Sequence, residues 1–359
     1  MRAVRAVTVT CAAVGLAALA VVAPGGPQAR AAIAWTPAIT VADGNSVIAL
    51  ETSGGGLAFY WNEHGTSTWH KETVATAGTT SFEPSIAQVG DFVVIAVAGT
   101  GNSLDLYWQK NGESGWTVQV VAGAGTTEGI PQVTADGNSV IIAAEGTGNR
   151  LDFYWADSVG SAFHHESVAG WGTTFSDPAM TVNGNSVNIA VQGPGESLDF
   201  YWAANGTSTW HPEVVAGPGA TYNDPAIAVD DGVVSLAVLN TSGVGIELYW
   251  VLNGTTTWHP QSVPGEAILD PAITANNGQL EVFDLTNSDG IGDASTISGT
   301  GFWQWTQLTA PRSGRASPAV TINDGIENIA IVDQNENLIF YWNDKGTYVP
   351  ETVDVATDL

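Results

Sequence analysis

The chain has 359 residues and a formal net charge of −27 at pH 7, from 36 acidic and 9 basic side chains. A surface this negative repels nucleic acids and anionic membranes, so neither class of partner is expected. Cys11 is the only cysteine, which excludes an intrachain disulfide framework. A chain of this length can instead be held together by its own apolar core.

The N-terminus has the features of a secretory signal peptide. Arg2 and Arg5 supply a positive start, and residues 11–23 form a small, apolar run of 13 residues. That run is too short to span a bilayer comfortably, and residues 29–31 supply a small-x-small cleavage pattern. The sequence therefore predicts a signal peptide over residues 1–31 and a secreted, extracellular protein beginning near Ala32, with no membrane span.

After this segment the chain repeats one unit. Prolines open seven units at spacings of 46 or 47 residues, at Pro37, Pro84, Pro131, Pro178, Pro225, Pro271 and Pro318. A Tyr-Trp doublet recurs with nearly the same period, at Tyr60-Trp61, Tyr107-Trp108, Tyr154-Trp155, Tyr201-Trp202, Tyr249-Trp250 and Tyr341-Trp342. A fixed period of this length indicates seven copies of one supersecondary unit.

Each unit has room for four strands. In the fourth unit they are predicted at 179–182, 187–192, 198–202 and 210–216, separated by turns rich in Gly, Asn and Pro. No stretch after residue 31 carries a sustained 3.6-residue apolar period. The sequence therefore predicts an all-β, seven-bladed β-propeller over residues 32–359, with four antiparallel strands in each 47-residue repeat. A linear β-solenoid is the alternative, but its usual repeat is much shorter.

Two units depart from the pattern. In the sixth, Thr296-Ile297 stands where the Tyr-Trp doublet is expected, eight residues before Trp305. In the seventh, Tyr348 stands where a Trp is expected. The sixth unit is the strongest break in the repeat.

Short motifs resemble those of a known family. The run Gly278-Gln279-Leu280-Glu281-Val282-Phe283 is followed by Trp303-Gln304-Trp305, and residues 187–217 follow the same order more loosely. This order resembles the bacterial seven-bladed propeller lectins of the PLL type. The resemblance implies pockets between blades that bind fucose-like or O-methylated sugars, and hence a multivalent carbohydrate-binding role. The Tyr-Trp doublets and Trp-His pairs of this chain depart from the usual family motifs.

Aromatic pairs at one repeated place are the predicted sugar-binding residues. A sugar site needs a flat aromatic face for the apolar side of the ring and polar groups for the hydroxyls. Both are offered by Trp69-His70, Trp210-His211 and Trp258-His259, and in altered form by Trp116-Thr117, Phe163-His164 and Trp305-Thr306. The alternative is that one aromatic per blade serves only the packing between blades.

Acids recur in the third strand and are also assigned to sugar binding. They are Asp105, Asp152, Asp199 and Glu247, which can accept hydrogen bonds from sugar hydroxyls. The alternative is that they are solvated or turn-capping carboxylates. Asp177, Asp224 and Asp270 precede opening prolines and are predicted to cap turns.

One motif suggests a metal. Asn287, Asp289 and Asp293 alternate around Gly290 as in part of a calcium loop, although Leu285 at the first ligand position cannot coordinate. Calcium is thus a possible ligand, and no cofactor is required by the sequence.

Three function classes compete. A lectin is favoured, because several equal sites gain avidity on a polyvalent surface. A secreted glycosidase or polysaccharide lyase is the alternative, with its site in the irregular sixth unit around residues 284–315, since one catalytic centre needs unique residues. A protein-binding scaffold is the third possibility. The sequence leaves the sugar and the oligomeric state open.

Overall fold

The computed structural model describes residues 36–63 and 66–355. Within them, 28 strands form seven four-stranded sheets, and each sheet consists of four strands consecutive in the chain. Neighbouring strands in every sheet are antiparallel. The predicted all-β, seven-bladed propeller is confirmed. The predicted signal peptide and the predicted start at Ala32 lie outside the described residues.

We number the blades 1 to 7 in chain order. The first, innermost strands are β1 (Ala38–Ala42), β5 (Ser85–Val89), β9 (Gln132–Asp136), β13 (Ala179–Asn183), β17 (Ala226–Asp230), β21 (Ala272–Asn276) and β25 (Ala319–Asn323). The second strands are β2 (Asn45–Thr52), β6 (Phe92–Ala98), β10 (Ser139–Gly146), β14 (Ser186–Gly193), β18 (Val233–Leu239), β22 (Gln279–Leu285) and β26 (Ile326–Val332). The third strands are β3 (Gly56–Asn62), β7 (Leu104–Lys110), β11 (Arg150–Ala156), β15 (Ser197–Ala204), β19 (Ile246–Leu252), β23 (Ile291–Ile297) and β27 (Leu338–Asp344). The outermost, fourth strands are β4 (Trp69–Ala75), β8 (Thr117–Ala122), β12 (His164–Ala169), β16 (His211–Ala216), β20 (His259–Val263), β24 (Gln304–Gln307) and β28 (Thr347–Asp354).

The innermost strands close the ring. Each contacts the innermost strand of the next blade, and β25 of blade 7 contacts β1 of blade 1. An innermost strand is hydrogen-bonded on one side only, so its other edge carries unpaired backbone groups. The seven opening prolines each directly precede one of these strands. Because proline has no N–H, it suits the start of an unpaired edge.

How deeply the residues of a strand are buried depends on the position of that strand in its blade. Six of the seven residues of the second strand Phe92–Ala98 are buried, because neighbouring blades cover both of its faces. The fourth strand His211–Ala216 has only exposed and half-buried positions, as expected for an outer strand. Asp43 and Gly44 both have positive φ, of 50° and 75°, and make the tight turn that joins β1 to β2.

The apolar core lies between adjacent blades. At one such interface, Leu198 and Phe200 of blade 4 pack with Leu236 and Val238 of blade 5. Each blade therefore buries both faces against its neighbours, which is why the third strands carry large side chains on both sides. No helix long and apolar enough to cross a bilayer occurs in residues 36–63 or 66–355.

Aspartates before the opening prolines link blades. An oxygen of the Asp177 side chain accepts the Ile130 backbone N–H at 2.8 Å, and one of Asp224 accepts the Asp177 backbone N–H at 2.8 Å. The accepted amides belong to the residues that precede the inner strands of the preceding blades. Asp177 and Asp224, which the sequence predicts to cap turns, therefore each bond the blade before their own.

Within residues 36–63 and 66–355, blade 7 meets blade 1 without any exchange of strands. Asp354, at the end of β28, accepts hydrogen bonds from the Tyr60 hydroxyl at 2.8 Å and from Lys71 Nζ at 2.7 Å. The Trp69 indole donates to Glu351 at 3.1 Å. An apolar cluster that includes Leu50 of blade 1 and Phe340 of blade 7 completes this seam. Side-chain packing and polar contacts thus hold the ring closed.

Replacing Asp354 by Ala removes the acceptor of two hydrogen bonds at the seam. We expect the free energy of unfolding to fall by about 1–3 kcal/mol, since the charged acceptor is largely buried. Urea denaturation measures this change. Glu113→Ala is the control, because its ion pair with Lys110 spans 3.9 Å between exposed side chains and should change stability by less than about 0.5 kcal/mol.

A second variant tests the seam by adding a carboxylate to blade 1 after Asp354 has been removed. Asp199 of blade 4 occupies the register of Ala58, and Gly193 occupies that of Thr52. The triple variant T52G/A58D/D354A should therefore recover part of the stability that D354A loses. Equal losses for D354A and Glu113→Ala would contradict a special role for the seam.

Candidate functional site

The structure separates the predicted Trp-His pairs. Trp69 packs edge-to-face on Phe340 of blade 7, with ring centroids 4.9 Å apart. His70, the next residue, lies on the other face of blade 1 and stacks on Trp61 at 4.1 Å and an interplanar angle of 20°. Successive residues of a strand point to opposite faces, so the two members of each pair belong to different interfaces.

The interface between blades 4 and 5 shows which side chains meet instead. Trp202 stacks on His211 at 4.2 Å, and Trp258 of blade 5 packs edge-to-face on Phe200 at 5.1 Å. The Glu213 carboxylate accepts both indole N–H groups, from Trp202 at 3.1 Å and from Trp258 at 3.0 Å. We use the name indole clamp for any such arrangement, in which one carboxylate or amide oxygen accepts the indole N–H of one or two tryptophans. The predicted site residue His211 therefore lies with Trp258, while Trp210 lies one interface back.

The indole clamp recurs around the ring. Glu351 accepts from Trp342 and Trp69, each at 3.1 Å, in the interface between blades 7 and 1. Single-indole versions pair Trp116 with Glu72 at 3.3 Å, Trp210 with Glu166 at 3.2 Å and Trp303 with Gln261 at 3.3 Å. Stacked histidines accompany four of the five clamps, through Trp61–His70, Trp155–His164, Trp202–His211 and Trp250–His259. These four imidazoles are exposed, so each offers a polar group to solvent beside half-buried indole rings.

Sequence reasoning missed the acceptors of the clamp. Each acceptor follows its blade's fourth-strand aromatic residue by three positions, as Glu213 follows Trp210 and Gln261 follows Trp258. That Trp-x-x-Glu/Gln spacing is a signal in the sequence. A single repeat does not reveal the clamp, because the acceptor bonds the equivalent Trp of the next blade and not the aromatic residue three positions before it.

The recurring third-strand acids face the preceding blade, beside a tyrosine. Burial, with the Asp199 charge nearby, raises the pKa of the Tyr201 phenol to about 12, and burial also raises the pKa of Asp199. A Cβ on Gly193 would lie 2.1 Å from the Asp199 carboxylate, so glycine is required at that position. Asp199, Tyr201 and Trp210 therefore line the same interface between blades 3 and 4.

Equivalent acids in the other blades differ in their partners. Asp152 of blade 3 is fully buried and bonds Arg150 Nε at 2.5 Å and His165 Nε2 at 2.9 Å. Burial raises the pKa of Asp105 in blade 2. Glu247 of blade 5 accepts from the Ser262 hydroxyl at 2.7 Å. All four predicted acids thus lie at interfaces between blades, with neighbours that differ in charge.

The register of the sixth blade corrects a sequence assignment. Ala294 pairs with Trp305 and Ser295 with Gln304. Ala294-Ser295, not Thr296-Ile297, therefore occupies the place of the Tyr-Trp doublet, and Trp303, not Trp305, takes the clamp position. Counting forward from Pro271 gives the correct register, whereas counting back from Trp305 misplaces it by two residues.

Blade 6 also has an acid at this place, but carries it on the second strand instead of the third. Asp284 of β22 pairs with Gly292 of β23, where Val191 pairs with Asp199 in blade 4. The Asp284 carboxylate would lie 2.3 Å from a Cβ on Gly292, so it occupies the space above that glycine. Burial raises the pKa of Asp284 to about 6.

In the interface between blades 6 and 7, acids stand beside the apolar cluster at positions that carry no acid in the other blades. Asp293 occupies the register of Phe200, and Tyr348 that of the clamp tryptophans. Burial, reinforced by Asp293 and Glu327, raises the pKa of Glu281 to about 8, and burial with Glu327 and Asp284 raises that of Asp293 to about 7. The same burial and carboxylates raise the pKa of the Tyr348 phenol. This interface differs from the others in both shape and charge.

The predicted calcium residues do not form a common site. The Asn287 amide donates to the Glu266 carboxylate, Asp289 lies in the turn between β22 and β23 with φ of 60°, and Asp293 faces blade 7. In the part of the chain that the structure describes, no three His, Cys, Asp or Glu side chains are grouped to hold a metal ion. The calcium prediction gains no support from this geometry.

Because the acids between blades 6 and 7 have raised pKa values, we expect the protein to lose stability as the pH rises. The folded pKa values of Glu281 and Asp293 lie above their ordinary values of 4.5 and 3.8, so the folded state binds more protons than the unfolded state between about pH 4 and pH 8. The free energy of unfolding should fall across that range and then level off. Asp293→Asn with Glu281→Gln should flatten the curve, measured by urea denaturation in a pH series.

Two exposed acids provide the control for this experiment. Glu113→Gln with Asp91→Asn removes the same formal charge from exposed positions, and the slope should then persist. A slope that both double variants reduce equally would mean that overall charge, not this interface, causes the pH dependence.

Comparison with solved structures places the chain beside known propeller lectins. BP39L lectin from Burkholderia pseudomallei aligns with a TM-score of 0.78 over 90% of this chain and 99% of its own, at 16% identity. SapL1 lectin, solved in complex with α-methyl fucoside, aligns with a TM-score of 0.57 over 77% of this chain and 96% of its own, at 13% identity.

The fold also occurs outside lectins. The β-propeller domain of the Trilobed protease from Pyrococcus furiosus, described as having an open velcro topology, aligns with a TM-score of 0.57 over 90% of this chain and 100% of its own, at 9% identity. The sequence matches no protein-family model and no curated protein. At these identities the likeness shows the fold alone. The resemblance to PLL-type lectins is confirmed at that level: the chain is a seven-bladed β-propeller that resembles BP39L.

Proposed function

We propose that the protein is a secreted, multivalent lectin whose sugar sites lie at the interfaces that carry the indole clamp. The observation that supports this most is the recurrence of one set of groups at equivalent places, namely an indole held by a carboxylate or amide, with a stacked and exposed imidazole. A sugar ring can place its apolar face on an aromatic ring and its hydroxyls on the imidazole and nearby acids.

Repetition is the reason to prefer binding over catalysis. Weak sites of equal kind on one rigid ring can engage several residues of a polyvalent glycan at once, which raises the overall affinity without any new contact. The complex of SapL1 lectin with α-methyl fucoside favours a fucose-like sugar as the first ligand to test. Secretion, predicted from residues 1–31, would bring the protein to such glycans outside the cell.

A glycan array probed with residues 32–359 should show binding, and calorimetry with the best sugar should show several sites per chain and no turnover. His211→Ala removes the exposed imidazole of one site, so the number of sites should fall by about one. Thr117→Ala is the matched control, because Thr117 pairs with Trp108 as His211 pairs with Trp202, in a blade whose interface with blade 3 has no clamp. Absence of any glycan binding, or an equal effect of the two variants, would contradict the proposal.

A hydrolase or lyase is the second candidate, and the acids between blades 6 and 7 favour it. A carboxyl group that stays protonated near neutral pH, beside ionised carboxylates, is suited to general acid catalysis. Glu281 and Asp293 have this property and occur in one interface.

Incubation with neutral and acidic polysaccharides tests this alternative. An enzyme would release new reducing ends or unsaturated products, and Asp293→Asn should reduce the rate by at least about a hundredfold if Asp293 transfers a proton. The lectin proposal expects no release of product from any polysaccharide.

A further inference from the structure

Three exposed aromatic side chains occur at one end of blades 3 and 4. Trp171 is 76% exposed, Phe175 43% and Tyr222 47%. Trp171 and Phe175 lie in the connection from β12 to β13, and Tyr222 lies in the connection from β16 to β17. Connections from a fourth strand to the next blade all emerge at the same end of the ring, because every blade has four antiparallel strands. We call these three residues the aromatic rim.

The equivalent connections show that Trp171 stands where other blades have a small side chain. Trp171 faces Gly148, in the turn between β10 and β11. The corresponding pairs in blades 1, 2 and 4 are Ala77 with Gly54, Ala124 with Gly101 and Pro218 with Gly195. In all four blades the next residue donates its backbone N–H to the carbonyl of the facing glycine, at 2.8–3.0 Å. The connection therefore has the same backbone with a small residue, and the fold does not require a tryptophan there.

The indole of Trp171 is held in place on its inner side. Its Cε3, Cζ3 and Cδ2 atoms would lie 2.7, 3.0 and 3.2 Å from a Cβ on Gly148, so the ring rests against this glycine. The connection is also fixed, since the Thr173 and Thr174 amides donate to the Asn149 carbonyl at 2.8 and 2.9 Å. A ring that is already fixed and still exposed loses little entropy when a ligand stacks on it.

Phe175 and Tyr222 occupy one repeated position. Each lies three residues before an opening proline, and each donates its backbone N–H at 2.9 Å to the second strand of the following blade. In blade 2 this position is held by Glu128, whose carboxylate accepts the Gly148 N–H at 3.3 Å. Glu128 and Trp171 thus contact the same glycine from two blades, so a carboxylate acceptor lies near the exposed indole.

We propose that the aromatic rim binds a neutral, β-linked polysaccharide chain, with one sugar ring stacked on Trp171 and further units along Phe175 and Tyr222. Pyranose rings with equatorial hydroxyls, as in β-1,4-linked glucose or N-acetylglucosamine, present flat C–H faces that stack on aromatic rings. Their hydroxyls can donate to the Glu128 carboxylate. A neutral chain is not repelled by a protein with a net charge of −27.

This proposal rests on the carbohydrate-binding function and adds a second kind of site to it. The clamps would bind single sugar residues between blades, whereas the aromatic rim would bind a chain across the end of the ring. Each further aromatic ring adds a stacking contact on the same rigid protein, so a chain should bind more tightly than a single sugar.

The test uses NMR titration of residues 32–359 with cellohexaose and with chitohexaose, and with maltohexaose as the α-linked match. At least one of the β-linked oligomers should shift the indole N–H signal of Trp171, and maltohexaose should not. Trp171→Ala supplies the residue that blades 1 and 2 already have, so the fold should persist, and it should weaken binding about three- to tenfold. Phe302→Ala is the control, because Phe302 is 87% exposed but lies between β23 and β24, at the opposite end of the ring, and binding should not change.

The outcomes distinguish this site from the clamps. No Trp171 shift with either β-linked oligomer, equal shifts with maltohexaose, or equal weakening by Trp171→Ala and Phe302→Ala would overturn the proposal. A dimer that Trp171→Ala makes monomeric, with oligosaccharide binding unchanged, would assign the aromatic rim to contact between copies and would also overturn it. His211→Ala should leave the Trp171 shift unchanged. A Trp171 shift in a protein whose clamps bind no sugar would instead contradict the clamp proposal and leave this one standing.

Discussion

Between neighbouring blades, one carboxylate can accept the indole N–H groups of two tryptophans from different blades. At Glu213 and Glu351 this contact joins the third strand of one blade, its fourth strand and a Trp at or directly before the start of the fourth strand of the next. An indole buried without an acceptor would lose hydrogen bonds to water with nothing in return, so the acceptor fixes both rings in place. Rigid rings beside exposed histidines are also what a sugar site needs, so the proposed sugar sites would use the same contact that packs the blades.

The interface between blades 2 and 3 lacks the clamp, and two further departures from the pattern are instructive. At the seam, the clamp on Glu351 is kept, and the acid missing at Ala58 is replaced by Asp354 from the other blade. Between blades 6 and 7 the clamp is absent, and three carboxylates and a phenol take its place. The first change keeps the interface chemistry where blade 7 meets blade 1. The second creates an interface whose protonation is coupled to folding.

Much of the fold follows from local signals in the sequence. The prolines repeat every 46 or 47 residues and the tight turns carry Asn-Gly or Asp-Gly, so the number of blades and the strands of each could be predicted. The site could be predicted only in part. Trp210 and His211 are adjacent in sequence but face different blades, and Glu213 bonds a tryptophan 45 positions later. Such pairings depend on which blade packs against which face, a relation that no single repeat contains.

A crystal structure with the best sugar from the glycan array would test the central claim most directly. The account predicts sugar density at several clamp-bearing interfaces, with the ring against an indole or imidazole and hydroxyls near the third-strand acids. Density confined to the acid-lined interface between blades 6 and 7, with every clamp unoccupied, would contradict it.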